Sequence, residues 1–171
     1  ACAWGQLTGE PGICMVTRGP GAANAAIGVH TARQNSVPMI LFVGQVARFM
    51  RDREAFQELD YRAAFGPIAK WATEIDDPAR IPEILARAWR MALSGRPGPV
   101  VIALPEDMLV ETADVDPLSA PLPLAEAAPG ADLAAAADLL AGAERPLVMV
   151  GGGGWQDAGR ADLDAWLSEA G

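Results

Sequence analysis

Four short, continuously apolar runs punctuate this chain: Gly12 to Thr17, Met39 to Val43, Ala69 to Ile75 and Val100 to Leu104. Runs of this length without polar alternation are what strands buried on both faces of a parallel sheet require. The segments between them carry helical spacing. In the clearest, Ala79 to Leu93, the residues Ile81, Ile84, Leu85, Ala88, Trp89, Ala92 and Leu93 recur at three- and four-residue steps. Asp77 and Pro78 supply its cap and its starting proline, and Ser94-Gly95-Arg96-Pro97-Gly98-Pro99 stops it and launches the next strand. Strand and helix alternate throughout, which predicts an α/β fold with a parallel sheet flanked by helices and built from βαβ units.

With 171 residues, 51% of them hydrophobic, the chain can bury one large domain or one domain and part of another. Ala1 to Leu7 has the character of the back half of a helix, stopped by Thr8-Gly9-Glu10-Pro11-Gly12. The chain has no initiator methionine and ends abruptly at Gly171, so it is expected to be a piece of a longer one. From Pro105 the character changes: five prolines (Pro105, Pro117, Pro121, Pro123, Pro129) and scattered acids predict a semi-rigid connection. The expected organisation is a first domain over 1–110, a linker over 111–129, and the start of a second α/β domain over 130–171. That second part has a helix over Ala131 to Ala141, a strand over Pro146 to Val150, the run Gly151 to Gly154, and a further helix.

The net charge of −9 leaves no basic stripe to neutralise phosphates, which excludes a nucleic-acid binder. No apolar run approaches the roughly 20 residues that span a bilayer, and no signal peptide opens the chain. Two cysteines, Cys2 and Cys14, suit thiols in a reducing compartment, and a cytoplasmic location is expected. His30 is the single histidine, placed mid-helix with no second metal ligand near it, so a structural role is expected and no metal-binding residue is assigned.

Chemistry concentrates in two places. Thr17-Arg18-Gly19-Pro20-Gly21-Ala22-Ala23-Asn24 follows the first apolar run and opens a helix that ends near Gln34. A strand breaking at Gly-Pro-Gly exposes N–H groups at a helix start, where a polar or anionic ligand is held, and the glycines let a ring approach the backbone. The same pattern also fits a strand-to-helix turn that binds nothing. The second place is Ala55-Phe56-Gln57-Glu58-Leu59-Asp60, downstream of Gly44-Gln45-Val46. An amide side chain such as that of Gln57 recognises a heterocycle edge, although the stretch equally suits a polar surface helix. Arg48, Arg51 and Arg53, interleaved with Asp52 and Glu54, fit a solvated segment or an anion site. Gly151 to Gly154 fit a phosphate-binding turn or a plain tight turn.

Taken together, these segments resemble the N-terminal, pyrimidine-binding domain of thiamine-diphosphate enzymes of the acetolactate synthase/benzoylformate decarboxylase type. The resemblance covers about residues 1 to 110. It rests on Thr8 to Gly12, Thr17 to Asn24, Ser36-Val37-Pro38-Met39, Gly44-Gln45-Val46, Phe56-Gln57-Glu58, Pro67-Ile68-Ala69-Lys70-Trp71 and Gly95 to Val100, which occur in the family's order.

The resemblance implies a flavodoxin-like domain whose cofactor is thiamine diphosphate. Its aminopyrimidine ring would lie against Pro20 and the Gly19–Gly21 turn, with Thr17, Asn24 and Gln57 around it and Phe56 walling the substrate side. It further implies decarboxylation or carboligation of 2-oxo acids in a homodimer or homotetramer whose site forms between subunits. The family's catalytic glutamate would fall before Ala1, so no catalytic residue is assigned within the chain, and Mg²⁺ would bind through a domain beyond Gly171. The piece alone is therefore expected to be inactive, and to associate or be marginally stable for want of its first strand. FAD is left open. Two departures stand out: Ala47 follows Gly-Gln-Val where many synthases have proline, and Glu106 follows Pro105 where lysine is frequent. They keep a related 2-oxo acid or oxalyl-CoA-type decarboxylase open alongside an acetolactate synthase; a non-catalytic interaction domain is the alternative from a different class.

Overall fold

The four apolar runs pair as one all-parallel sheet in the computed structural model, which describes residues 1–116, 130–151, 155 and 157–170. The strands are β1 (Gly12–Val16), β2 (Met39–Gln45), β3 (Trp71–Glu74) and β4 (Pro99–Pro105), laid side by side in the order β1-β2-β4-β3. Helices fill the intervals: α1 (Cys2–Thr8), α2 (Gly19–Gln34), α3 (Tyr61–Phe65) and α4 (Ile81–Leu93). The expected α/β class holds.

The register explains why the runs are apolar throughout. Ile40 pairs with Val100 and Leu41 with Val101, and successive side chains on β2 and β4 enter opposite cores. Met39, Leu41, Val43, Val101 and Ala103 meet Ala22, Val29 and Ala32 of α2 and Tyr61 and Phe65 of α3 on one face. Ile40, Val100 and Ile102 meet Ile84, Ala88 and Ala92 of α4 on the other. Alanines at the buried positions of α2 and α4 let both helices lie close to the sheet. β1 is an edge strand of the described sheet, and its Ile13 and Met15 are 57% and 69% exposed.

Several boundaries shift for identifiable reasons. Asp77 accepts from the Ala79 N–H at 2.9 Å, but it caps a 3-10 turn, Pro78–Arg80, and the α-helix starts only at Ile81. Leu85, expected on the buried stripe of α4, is exposed instead. α1 ends as expected: Gly9 takes the left-handed conformation (φ 73°) and its N–H returns to the Gly5 carbonyl. His30 lies on the exposed side of α2, where its Nε2 is 3.4 Å from the Gln34 amide nitrogen, so it is a surface residue with no buried partner to satisfy.

The chain divides into two units, Ala1–Leu124 and Ala125–Gly171. In the second, α5 (Gly130–Ala141) and α6 (Asp157–Ala170) match the expected helices. The strand expected over Pro146 to Val150 is not formed, because a parallel strand needs a neighbour and the described residues of this unit contain none. Trp155 Nε1 donates to the Gly151 carbonyl at 2.7 Å, while Gly152 to Gly154 and most of the expected linker lie outside the described residues. Among the described residues no helix is long and apolar enough to cross a membrane.

Leu41 is fully buried between α2 and the sheet, so Leu41→Ala is expected to cost about 2–5 kcal/mol in a urea unfolding series. His30→Ala, on the exposed side of the same helix, should stay within about 0.5 kcal/mol.

Candidate functional site

The loops that follow β1 and β2 emerge at the carboxyl end of the parallel sheet, the end at which open α/β folds present ligand crevices. The turn after β1 runs through Thr17 and Arg18 straight into α2, with Pro20 in the first helical turn and no side-chain cap at Arg18. Its free donors are fewer than the sequence implies. Pro20 has no N–H, the Ala22 N–H closes on the Arg18 carbonyl at 3.1 Å, and the Gly19 N–H donates to the Gln57 carbonyl at 3.1 Å. The helix start is therefore poorly suited to an anion, and what it presents is a small, flat backbone surface.

The close packing beneath the turn leaves little room for a side chain at either glycine. A Cβ at Gly21 would meet Thr17 Cγ2 at 2.9 Å and Val16 Cβ at 3.3 Å. A Cβ at Gly19 would stand 3.0 Å from the Gln57 carbonyl oxygen. One helical turn further, Asn24 is exposed on the same side as Pro20, in line with Ile27, while Ala22, Val29 and Ala32 face the core.

The stretch containing Phe56 and Gln57 is a loop, not the polar surface helix that its composition also allowed. Asp52 (φ 59°), Glu54 (φ 53°) and Gln57 (φ 65°) all adopt left-handed backbone, each at a cost of about 1–2 kcal/mol for a non-glycine residue. Side chains rather than a ladder hold it. At its base Gln45, 4% exposed, donates from Nε2 to the Leu59 carbonyl at 2.9 Å and accepts from the Val46 N–H at 2.9 Å. The buried Tyr61 hydroxyl donates to the Gly44 carbonyl at 3.0 Å, and burial raises that phenol above its ordinary range. Within the loop the Glu58 carboxylate accepts from the Asp52 N–H at 2.7 Å and the Ala55 N–H at 3.0 Å.

Arg48 and Arg51 are committed to carboxylates, which removes their anion-site reading. Arg48 donates from its backbone N and its Nε to Asp107, at 2.9 and 2.8 Å, and pairs with Glu111. Arg51 pairs with Glu74 and Asp76 at the end of β3. The two guanidiniums thus tie the loop to the ends of β3 and β4. Glu106, the departure noted in the sequence, pairs with Arg18 of the first turn, and the Glu106 N–H donates to the Gln45 carbonyl at 3.2 Å.

The structure brings Gly19, Gly21, Thr17 and the Gln57 backbone together. Thr17, Pro20 and Asn24 form the exposed surface beside them, and Phe56 is 78% exposed. A cleft of about 810 Å³ opens on the other side of the loop, lined by Gln45, Gln57, Glu58, Tyr61 and Glu74 among others. Gln57 borders it, whereas Thr17, Pro20, Asn24 and Phe56 do not. Sequence reasoning missed the roles of Gln45, Glu58, Tyr61 and Arg18. Gln45 carried a usable signal, since a polar residue closing a fully apolar run must find buried partners. Among the described residues no group of three or more His, Cys, Asp or Glu side chains is arranged to hold a metal ion.

This geometry defines an α/β domain with two interlocked loops at the carboxyl end of its sheet. Residues 1–64, which contain both loops, match the family described as the thiamine pyrophosphate enzyme N-terminal TPP binding domain. The chain is also 41% identical over 163 residues to an acetolactate synthase large subunit of Parasynechococcus marenigrum, covering 90% of this chain and 26% of that protein. It is 36% identical over 172 residues to an acetolactate synthase of Arthrospira platensis, covering 97% and 30%. With acetolactate synthase isozyme 3 large subunit of Escherichia coli it shares 43% identity over 104 residues, covering 61% and 18%. The chain thus spans less than a third of the length of these relatives.

Burial raises the Asp107 carboxyl, but its hydrogen bonds from the Arg48 side chain and backbone outweigh that and hold it below the usual carboxylate range. A depressed folded pKa gives stability that is present above the unfolded pKa and lost as pH falls through the folded one. The thermal midpoint should therefore fall on acidification below the carboxylate range. Asp107→Asn should start lower at neutral pH and fall less, as read by a melting series against pH.

Proposed function

We propose that the whole protein is a thiamine-diphosphate-dependent enzyme that decarboxylates or joins 2-oxo acids in the manner of an acetolactate synthase, and that this chain supplies the cofactor's pyrimidine pocket. The observation that carries this reading is the hydrogen bond joining the Gly19–Gly21 turn to Gln57, inside the segment matched by the family model. The residues fit such a cofactor. The turn packs closely against Thr17 and the Gln57 backbone and leaves Pro20 exposed, with an amide and a hydroxyl beside it and few N–H groups aimed at an anion.

In this reading Pro20 and the Gly19 and Gly21 backbone support the aminopyrimidine ring. Thr17 closes the side of the platform nearest β1. The Asn24 and Gln57 amides, each both donor and acceptor, orient polar edges of cofactor or substrate, and Phe56 excludes water on the substrate side. Bound thiamine diphosphate supplies the electron sink for loss of CO₂ from a 2-oxo acid. Mg²⁺ and the diphosphate belong to another part of the protein, as does FAD where it is used. The exposed side of α2, with Pro20, Asn24, Ile27 and the neighbouring Phe56, suits a second subunit that completes the site, so a homodimer or homotetramer is proposed. The chain by itself is then inactive, and a cytoplasmic location follows for such an enzyme.

One observation favours a second reading. Ala47 and Glu106 stand where many synthases have proline and lysine, and Glu106 is tied to Arg18 of the turn, so a related 2-oxo acid or oxalyl-CoA-type decarboxylase is the second reading.

Calorimetric titration of the full-length protein with thiamine diphosphate and Mg²⁺, paired with CO₂ release from pyruvate, tests both readings. Binding with CO₂ release supports the first, binding without release points to another 2-oxo acid, and no binding overturns both. Asn24→Ala and Gln57→Ala should each weaken cofactor binding or turnover by roughly five- to thirtyfold while leaving the melting midpoint unchanged. Unchanged kinetics in both variants would remove these residues from the site.

A further inference from the structure

The segment from Asp52 to Gln57 has no strand or helix to fix it, yet three of its six residues hold the left-handed backbone that L side chains disfavour. Something must over-determine that shape. Arg48 and Arg51 anchor only its entry, and Gln45 and Tyr61 only its exit. Inside it, one group makes more than one bond. Glu58 Oε1 accepts from the Asp52 N–H at 2.7 Å and Oε2 from the Ala55 N–H at 3.0 Å, while the Glu58 N–H returns to the Ala55 carbonyl at 2.9 Å. The consequence reaches the other loop, because the neighbouring Gln57 carbonyl is the acceptor for the Gly19 N–H.

We infer that Glu58 is a positioning residue. Its two carboxylate oxygens pin the 52–55 turn and thereby hold the left-handed backbone of Gln57, so that the Gln57 carbonyl meets Gly19 and the two loops keep one geometry. The charge is needed as well as the shape, since both oxygens must accept. A glutamine here would turn an NH₂ toward one of the two N–H donors. The carboxyl is held below the usual range, chiefly by the Asp52 N–H and then by the Ala55 N–H, although burial acts against it. This inference goes beyond the proposed function and rests on it only where cofactor binding is concerned.

The test is hydrogen exchange resolved to single amides in the ligand-free, full-length protein. In Glu58→Gln the amides of Asp52, Ala55 and Gly19 should exchange roughly tenfold faster or more, while those of Leu41 and Ile102 in the sheet keep their protection. Gly19 is the discriminating position, because it lies far along the chain on another element. Glu54→Gln, at an exposed left-handed residue of the same loop, should change none of these amides. Should Glu58→Gln fail to fold, Glu58→Asp serves instead: it keeps the charge but is one methylene too short to reach both donors, and the same three amides should lose protection. Unchanged protection at Gly19 overturns the inference. So does an equal loss at Leu41 and Ile102, which would mark a general stability effect. Titration with thiamine diphosphate and Mg²⁺ adds an independent arm, in which Glu58→Gln should bind roughly tenfold more weakly than wild type. If the wild type binds no thiamine diphosphate while Gly19 behaves as expected, the function falls and the positioning role stands.

Discussion

The hydrogen bond from the Gly19 N–H to the Gln57 carbonyl is the contact on which the rest of the carboxyl end depends. It couples a turn fixed by β1 and α2 to a loop fixed by β2 and α3, so neither can shift without the other. Both partners are unusual for their surroundings. A Cβ at Gly19 would stand 3.0 Å from that carbonyl oxygen and press against it, and Gln57 adopts backbone that its own side chain disfavours. The bond also alters the electrostatics of the helix start. It consumes a donor that would otherwise face outward, and with Pro20 beside it the turn becomes an apolar platform rather than an anion cradle.

Around this contact the sheet's carboxyl end is tied by charge. Arg18 reaches Glu106, Arg48 reaches Asp107 and Glu111, and Arg51 reaches Glu74 and Asp76. Each pair is partly exposed, so none stabilises the fold greatly on its own. Their value is geometric, since each guanidinium spans from one loop to the end of a different strand. Only Gln45 and Tyr61 among the loop's anchors are nearly fully buried, and they sit where the loop leaves and rejoins the core. The loop is therefore held firmly at its base and by solvated contacts near its tip, an arrangement that can keep Gln57 in place without a helix or strand beneath it.

Much of this fold was legible in the sequence because its signals are local. A run such as Met39 to Val43 must be buried on both faces, and the three-and-four spacing of Ile84, Ala88 and Ala92 leaves one direction for the helix to pack. Gly9 announced the end of α1 because few other residues accept a left-handed C-cap. What was not legible is long-range or context-bound. Nothing near Glu58 says that its carboxylate will take two backbone N–H groups instead of facing water from a surface helix. Arg48 gave no hint of partners 59 and 63 residues away, nor Arg51 of partners 23 and 25 residues away. The strand over Pro146 to Val150 failed for a related reason, since strand propensity has no effect where no neighbouring strand supplies the ladder.

The motifs singled out in the sequence divide by the end of the sheet they occupy. Ser36 to Met39, Pro67 to Trp71 and Gly95 to Val100 all lie at the amino ends of their strands. There Arg96 donates to the Ser36 hydroxyl at 2.7 Å and to the carbonyls of Arg33 and Gln34, closing the carboxyl terminus of α2, while Lys70 reaches the Ser94 carbonyl. A cation capping the last carbonyls of a helix is a stabilising device with no need of a ligand. Thr17 to Asn24, Gly44 to Val46 and Phe56 to Glu58 gather at the carboxyl ends, where close approaches and left-handed residues cost stability and other groups must offset them. Left-handed backbone occurs at the amino end too, at Ser36, but there the Arg96 guanidinium ties that residue to the end of α2. Asp52, Glu54 and Gln57 instead hold it together in one loop at the carboxyl end, around the contact between Gly19 and Gln57.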